Sequence, residues 1–339
     1  MPKILPNSDA GPRRAAFVIG LAAPLLAVAL HLLPALLGGL LIYTLVRLLA
    51  PRLEQRLSTQ SARLAVLAVL AFALVAGLAT AILGLLAFFR SDAGSIAALL
   101  ARMAELIESL RASLPDWLVA YLPADSATLQ SSLADWLRHH GAELQSAGAN
   151  TARALAHALL GMIIGALLAL RKSEGEGSRG ALTRPLAAHA DNLQRAFRDI
   201  AFAQAQIAAI NAAVTAAYLL VALPLLGIHL PLAKTMVALT FVAGLLPIIG
   251  NLVSNSVIVV ISLAHSLALA LISLAVLVLI HKLEYFLNAL IVGARIKANS
   301  WELLTAMLVM EAALGLPGLV LAPIYYAFLK TEVEDRGWL

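Results

Sequence analysis

The chain has 339 residues, of which 61% are apolar and only 13% charged, with a mean hydropathy of +0.91; soluble domains carry about 25% charge, so too few polar groups remain to clothe a water-soluble fold. The formal charge of +5 is spread over short loops between apolar runs, the topological use of Lys and Arg, which argues against a nucleic-acid partner. Cysteine is absent, which excludes disulfides, thiolate catalysis and Cys-ligated metals.

A span needs roughly 20 apolar residues. Ala15 to Leu30 and Leu32 to Leu49 supply two, broken at Pro34. Arg13-Arg14 before a run containing Ala27-Val28-Ala29 imitates a signal peptide, but a second apolar run follows at once, so an uncleaved first helix is expected. Leu64 to Phe89 is a third span, and a polar stretch runs from Arg90 to about Asn150. Within it Ile96, Leu99, Leu100, Met103, Leu106, Ile107 and Leu110 recur at helical spacing. After Pro115 and Pro123, Asp125-Ser126 caps a second helix carrying Leu129, Leu133, Trp136, Leu137 and Leu144. That helix meets no breaker except Gly141 and Gly148 before the fourth span, Ala152 to Leu170. Two amphipathic helices bury little by themselves, so the insert is either a cap on its own protomer or an arm on a neighbour.

Ile200 to Ile228 is the fifth span, Thr235 to Leu263 is apolar but interrupted, and Leu267 to Val292 and Trp301 to Leu329 are the last two. Basic residues concentrate at the N-terminus, in loop 47–63 and in segment 171–199, placing these in the cytoplasm; segment 90–150, with seven acids among its arginines, lies outside. The expectation is an all-α polytopic membrane protein of about eight transmembrane helices, or seven if 235–263 is re-entrant. Its regions are 1–89 (three spans), 90–150 (extracytoplasmic helical insert) and 151–339 (transport core).

The interruption Gly244-Leu-Leu-Pro247-Ile-Ile-Gly250-Asn251-Leu-Val-Ser254-Asn255-Ser256 is the most informative stretch. Pro247 removes a backbone donor, Gly250 allows almost any backbone angle and Asn251 suits the start of a resumed helix. Backbone freed within a bilayer must be buried in protein or line a wet cavity, and transporters build substrate sites from such breaks. The alternative is a proline kink satisfied by its neighbours. In span five Gln204, Asn211, Thr215 and Tyr218 fall on one helical face, either as interhelical glue or as pathway lining. Glu284 and Glu311 lie within spans, where a carboxylate costs several kcal/mol unless paired, hydrated or protonated; both are candidates for ion or proton coupling. Lys282, Arg295 and Lys297 are alternative partners that would make Glu284 structural. Gly161-x-x-x-Gly165 would let two helices approach closely, and Pro317-Gly318 is expected to bend the last span.

No Gly-rich loop ends in Gly-Lys-Ser/Thr, no His-Glu-x-x-His occurs and paired aspartates are missing, so neither an ATP-driven pump nor an enzyme is expected. No cofactor is expected beyond coupling to H⁺ or Na⁺.

Over about residues 200–330 the chain resembles the AI-2E family of bacterial membrane proteins, the autoinducer-2 exporter or PerM-like permeases. The resemblance rests on Gly244-Leu-Leu-Pro-Ile-Ile-Gly250, Glu284-Tyr-Phe-Leu-Asn288, Ile291-Val-Gly293-Ala-Arg295-Ile296, and Glu311-Ala-Ala-Leu-Gly-Leu-Pro-Gly318 with Ala322-Pro323, in family order. Ala289 stands near a proline common in relatives. The resemblance implies a bacterial inner-membrane transporter with a small-molecule or ion substrate and assembly as a homo-oligomer; the cytoplasmic N-terminus comes from the basic residues. Small-solute export is the first expectation, Na⁺(Li⁺)/H⁺ antiport the second, and a non-transporting membrane scaffold the third.

Overall fold

The structure, a computed structural model, describes residues 10–90, 105, 108, 126–171, 180, 182–245, 249–263 and 265–337. The helical repeat over 96–110, Pro115, Pro123 and Pro247 lie outside these residues or are described only in isolated positions.

Among the described residues every regular element is helical: α1 (Ala10–Ala29), α2 (Leu33–Leu53), α3 (Thr59–Arg90), α4 (Ser126–Leu170), α5 (Thr183–Ala217), α6 (Ala233–Gly244), α7 (Ile249–Leu263), α8 (Leu267–Ile296) and α9 (Ser300–Glu334). A π-helical turn, Tyr218–Ala222, extends α5. Among the described residues seven helices, α9 taken at its full length, are long and apolar enough to cross a membrane. Their surfaces carry large apolar side chains, with Phe72 75% and Leu279 70% exposed, an arrangement that only lipid or a further protein surface makes favourable. The chain is therefore an all-α polytopic membrane protein.

Its contacts divide it into two compact units: residues 1–70, 151–204 and 287–339, and residues 71–150 and 205–286. In the first, Val46, Ala50, Val66 and Ala169 form a buried cluster. There α2 crosses α4 through glycines: a Cβ at Gly161 or Gly165 would collide with the carbonyls of Ala35 or Gly39. The predicted small-residue contact thus exists, with backbones near enough that no side chain fits between them. Arg63 donates from Nη1 to the carbonyls of Ala169 (3.1 Å) and Arg171 (3.3 Å), satisfying the end of α4. In the second unit Tyr218, Leu219, Leu223, Met236, Ile258 and Leu277 are among the buried core.

Three expectations about elements change. The region from Thr183, expected only as part of the basic segment 171–199 ahead of the fifth span, is helical, because Asn192, Gln194, Ala196 and Phe197 supply a buried face beneath the arginines. The run Thr235 to Leu263 does not cross as one helix but folds into α6 and α7, of 12 and 15 residues. At 1.5 Å per residue these limbs reach roughly 18 and 22 Å, short of a ~30 Å hydrocarbon core, so neither limb is long enough to span by itself, as the re-entrant alternative requires.

The third change concerns the last span. Trp301 to Leu329 is not one bent rod. Gly315 takes φ 67°, ψ −157° inside α9. Beyond it the helix returns along itself. The Tyr326 hydroxyl donates to the Glu302 carboxylate, and Lys330 Nζ donates to the Lys297 carbonyl. A straight helix would hold residues 302 and 326 about 36 Å apart. A Cβ on Gly318 would strike the Met310 carbonyl, so the returning limb packs against the outgoing one without a side chain between. Each unit thus contains one hairpin of short apolar helices: α6–α7 in the second, the two limbs of α9 in the first.

Candidate functional site

The tip of the α6–α7 hairpin is built around glycine. A Cβ at Gly250 would overlap the carbonyl of Ala243, so only glycine lets the first turn of α7 lie against the last turn of α6. Gly244, in turn, meets Ala208 of α5; its added Cβ would stand 3.3 Å from the Ala208 Cβ. Small residues on three sides therefore set the depth at which the next residue, Asn251, enters the unit.

Asn251 is 7% exposed, and its Nδ2 donates to Oε2 of Glu284, itself 7% exposed. The Nδ1 of His281 lies 3.4 Å from the same carboxylate oxygen, one turn earlier on α8. No lysine or arginine among the described residues lies within ion-pair distance of Glu284; the alternative partners proposed from sequence do not engage it. An amide at the first turn of α7 places the carboxylate at the positive end of that helix dipole, a modest electrostatic compensation. The result is a buried acid with no lysine or arginine partner among the described residues, hydrogen-bonded to one neutral amide with an imidazole 3.4 Å away.

Around it, Ser254 is fully buried and donates to the Asn251 carbonyl at 3.3 Å, Asn255 is half-buried, and Ser256 is exposed and donates to the Leu252 carbonyl at 2.7 Å. The polar face of α5 is buried at Asn211 (4% exposed), Thr215 and Tyr218, whereas Gln204 is half-buried. Tyr218 bonds to Ser273 Oγ at 2.8 Å, and Ser273 to Ser262 Oγ at 2.9 Å. This hydroxyl chain starts at the π-helical turn, which rotates the later residues relative to an α-helix, as such bulges commonly do at functional sites. Neither Ser273 nor the turn was evident from sequence, because a π-turn has no residue signature. Glu311 is exposed on the outgoing limb of α9, in the first unit.

Sequence reasoning also missed a buried polar network in the first unit. Glu332, 3% exposed, accepts from His189 Nδ1 at 2.7 Å and from Asn192 Nδ2 at 2.8 Å, with Arg336 Nη2 at 3.8 Å. Gly20 lacks the Cβ that would press on the His189 ring at 2.9 Å. The three elements joined here, α1, α5 and α9, lie far apart in the chain, which is why no local pattern announces the network.

The family model described as AI-2E family transporter matches residues 15–335. The chain belongs to the AI-2E transporter family. The match covers the N-terminal spans, both hairpins and the Asn251–Glu284 pair, so the resemblance seen in the C-terminal half extends over nearly the whole chain. No curated protein and no solved structure matches the chain. As an AI-2E family member this is a multi-pass membrane transporter.

Proposed function

We infer that this AI-2E protein exports a small polar solute, of the kind represented by autoinducer-like signalling molecules, across a bacterial cytoplasmic membrane. The N-terminus is assigned to the cytoplasm by the distribution of basic residues. The observation that carries the reading is Glu284: a buried carboxylate with a neutral amide partner, the His281 ring 3.4 Å away and, among the described residues, no lysine or arginine within ion-pair distance. A transporter uses such an acid in two states. Charged, it holds the Asn251 amide; on accepting a proton or a cation, it releases that amide to a solute hydroxyl or carbonyl. α6 and α7 are each too short to cross a bilayer, so in this reading their hairpin turns within the membrane, where backbone outside a helix is satisfied only by protein or a wet cavity. Coupling to H⁺ or Na⁺ follows from the same carboxylate.

Export also requires assembly in this reading. The outer part of α4 leaves Trp136, Leu137 and Leu144 about half exposed, which favours an arm on a neighbouring copy over a cap on its own protomer.

The test is efflux from proteoliposomes loaded with labelled small polar solutes. Asn251→Ala is expected to lower efflux at least tenfold while reconstitution stays normal. Equal efflux from wild type and variant would remove Asn251 from the pathway, and no efflux from wild type with any solute would favour the scaffold reading.

A further inference from the structure

We propose that the first unit carries a separate anion site, a cavity between α2 and α5 that takes a phosphate group. The cavity has a volume of about 370 Å³ and is lined by Thr44, Arg47, Asp191, Gln194, Arg195 and Arg198. Its two walls are single helical faces. Residues 44 and 47 stand one turn apart on α2; residues 191, 194, 195 and 198 cover two turns of one side of α5. The faces are joined by Arg47 to Asp191 at 2.6 Å and by Gln194 Nε2 donating to Thr44 Oγ1 at 3.1 Å. Thr44 and Gln194 are each 6% exposed and form a buried polar floor, while Arg47, Asp191 and Arg198 keep about half their side-chain surface open at the mouth.

Arginines at the end of a span ordinarily serve topology, each reaching outward alone. Here three from two helices converge on one hollow. The donor inventory shows unused capacity. A guanidinium has five N–H groups. Arg47 bonds Asp191 and Tyr43 through Nη1 alone. Arg195 donates from Nη2 to the neutral amide oxygen of Asn192, and no carboxylate among the described residues lies within ion-pair distance of it. Arg198 commits Nε and Nη2 to Asp199. Three positive charges against Asp191 and Asp199 leave the site net positive, and among the described residues protein acceptors take only part of the N–H groups of the three arginines.

Planar guanidinium forks match phosphate oxygens in paired hydrogen bonds. The volume exceeds a bare phosphate, since a water occupies about 30 Å³, and accommodates a phosphate with a small attached alcohol. Basic pockets between spans are a recognised way to hold anionic headgroups. The shared chemistry is therefore a phosphate ester or phosphate ion, drawn either from an anionic lipid or from solution. This site does not depend on which solute the transporter carries.

The test uses the full-length protein, stripped of lipid in detergent. In one arm inorganic phosphate is titrated; in the other dioleoyl phosphatidylglycerol is added, with dioleoyl phosphatidylcholine as the uncharged comparison. Thermal midpoint and native mass spectrometry are the readouts. One anion bound per chain with a raised midpoint is expected. Arg195→Gln, which leaves no carboxylate orphaned, is expected to weaken binding about tenfold, or 1.4 kcal/mol. A response to inorganic phosphate identifies a soluble ligand; a response confined to phosphatidylglycerol identifies a lipid headgroup. Neither anion binding above the phosphatidylcholine level, or Arg195→Gln binding as tightly as wild type, overturns the proposal. On the unsubstituted protein, the anion should protect Arg195 from phenylglyoxal labelling located by peptide mass; equal labelling with and without anion also overturns it.

Discussion

Gly250→Ala adds a single methyl group at the tip of the α6–α7 hairpin, where the structure allows least room. The added carbon would overlap the Ala243 carbonyl oxygen and stand 2.9 Å from the backbone nitrogen of Gly244. Both obstacles are backbone, so no rotamer change relieves the clash, and the two limbs must separate by roughly 1.5 Å to restore van der Waals contact. Overpacking of a tight interior costs about 1–3 kcal/mol, and a collision with main chain belongs at the upper end. The separation also shifts Asn251, which follows directly, and loosens the Asn251–Glu284 hydrogen bond; bonds to charged groups contribute about 1.5–3 kcal/mol. A loss of roughly 3 kcal/mol is therefore expected, read as a fall in thermal midpoint in detergent of about 2–4 °C per kcal/mol. Gly148→Ala is the control: nothing lies within 4 Å of its added Cβ, and a helical Gly→Ala change stabilises by about 0.5–1 kcal/mol. Solute efflux should fall with Gly250→Ala and not with Gly148→Ala. If Gly250→Ala melts and transports like wild type, the close approach of the two limbs is wrong.

Further expectations follow from the first unit. Gly315→Ala places a side chain at φ 67°, ψ −157°, a region essentially reserved for glycine, and should cost about 1–3 kcal/mol by thermal unfolding. A double-cysteine pair at residues 306 and 322, on opposite limbs of α9, should crosslink in a background that contains no other cysteine; failure to crosslink would restore a single straight span. Glu332→Ala leaves His189 and Asn192 without their buried acceptor and should destabilise by about 3 kcal/mol or more. Glu332→Gln, which keeps an acceptor oxygen, should be the milder change in the same melting assay.

The membrane class was legible from composition, because a shortage of charge is a property of the whole chain and needs no tertiary information. The α6–α7 break was legible too: Pro247, Gly250 and Asn251 stand together, and each acts on the backbone locally. A similar proline–glycine signal at Pro317-Gly318 was read as a bend. What separates a bend from a reversal is the φ of Gly315 and the contact of Tyr326 with Glu302, 24 residues apart, and neither is encoded in a local window. Helix from Thr183 to Asp199 was obscured because its arginines satisfy the positive-inside pattern while Asn192, Gln194 and His189 are polar yet buried. Polar residues whose partners lie some 140 positions away carry no sequence signal of burial. Glu284 and Asn251 were each identified as candidates, but their pairing appears only when α7 and α8 are placed side by side.

The proposed transport cycle needs Glu284 to be an acid whose charge state changes. The direct measurement is solute efflux from proteoliposomes under imposed H⁺ and Na⁺ gradients, comparing wild type with Glu284→Gln, a substitution that keeps size and hydrogen bonding while fixing the charge at zero. Wild-type efflux should accelerate with one of the gradients, and Glu284→Gln should erase that acceleration while the protein inserts and melts normally. Gradient-driven efflux that persists in Glu284→Gln would show that the buried carboxylate is not the coupling group.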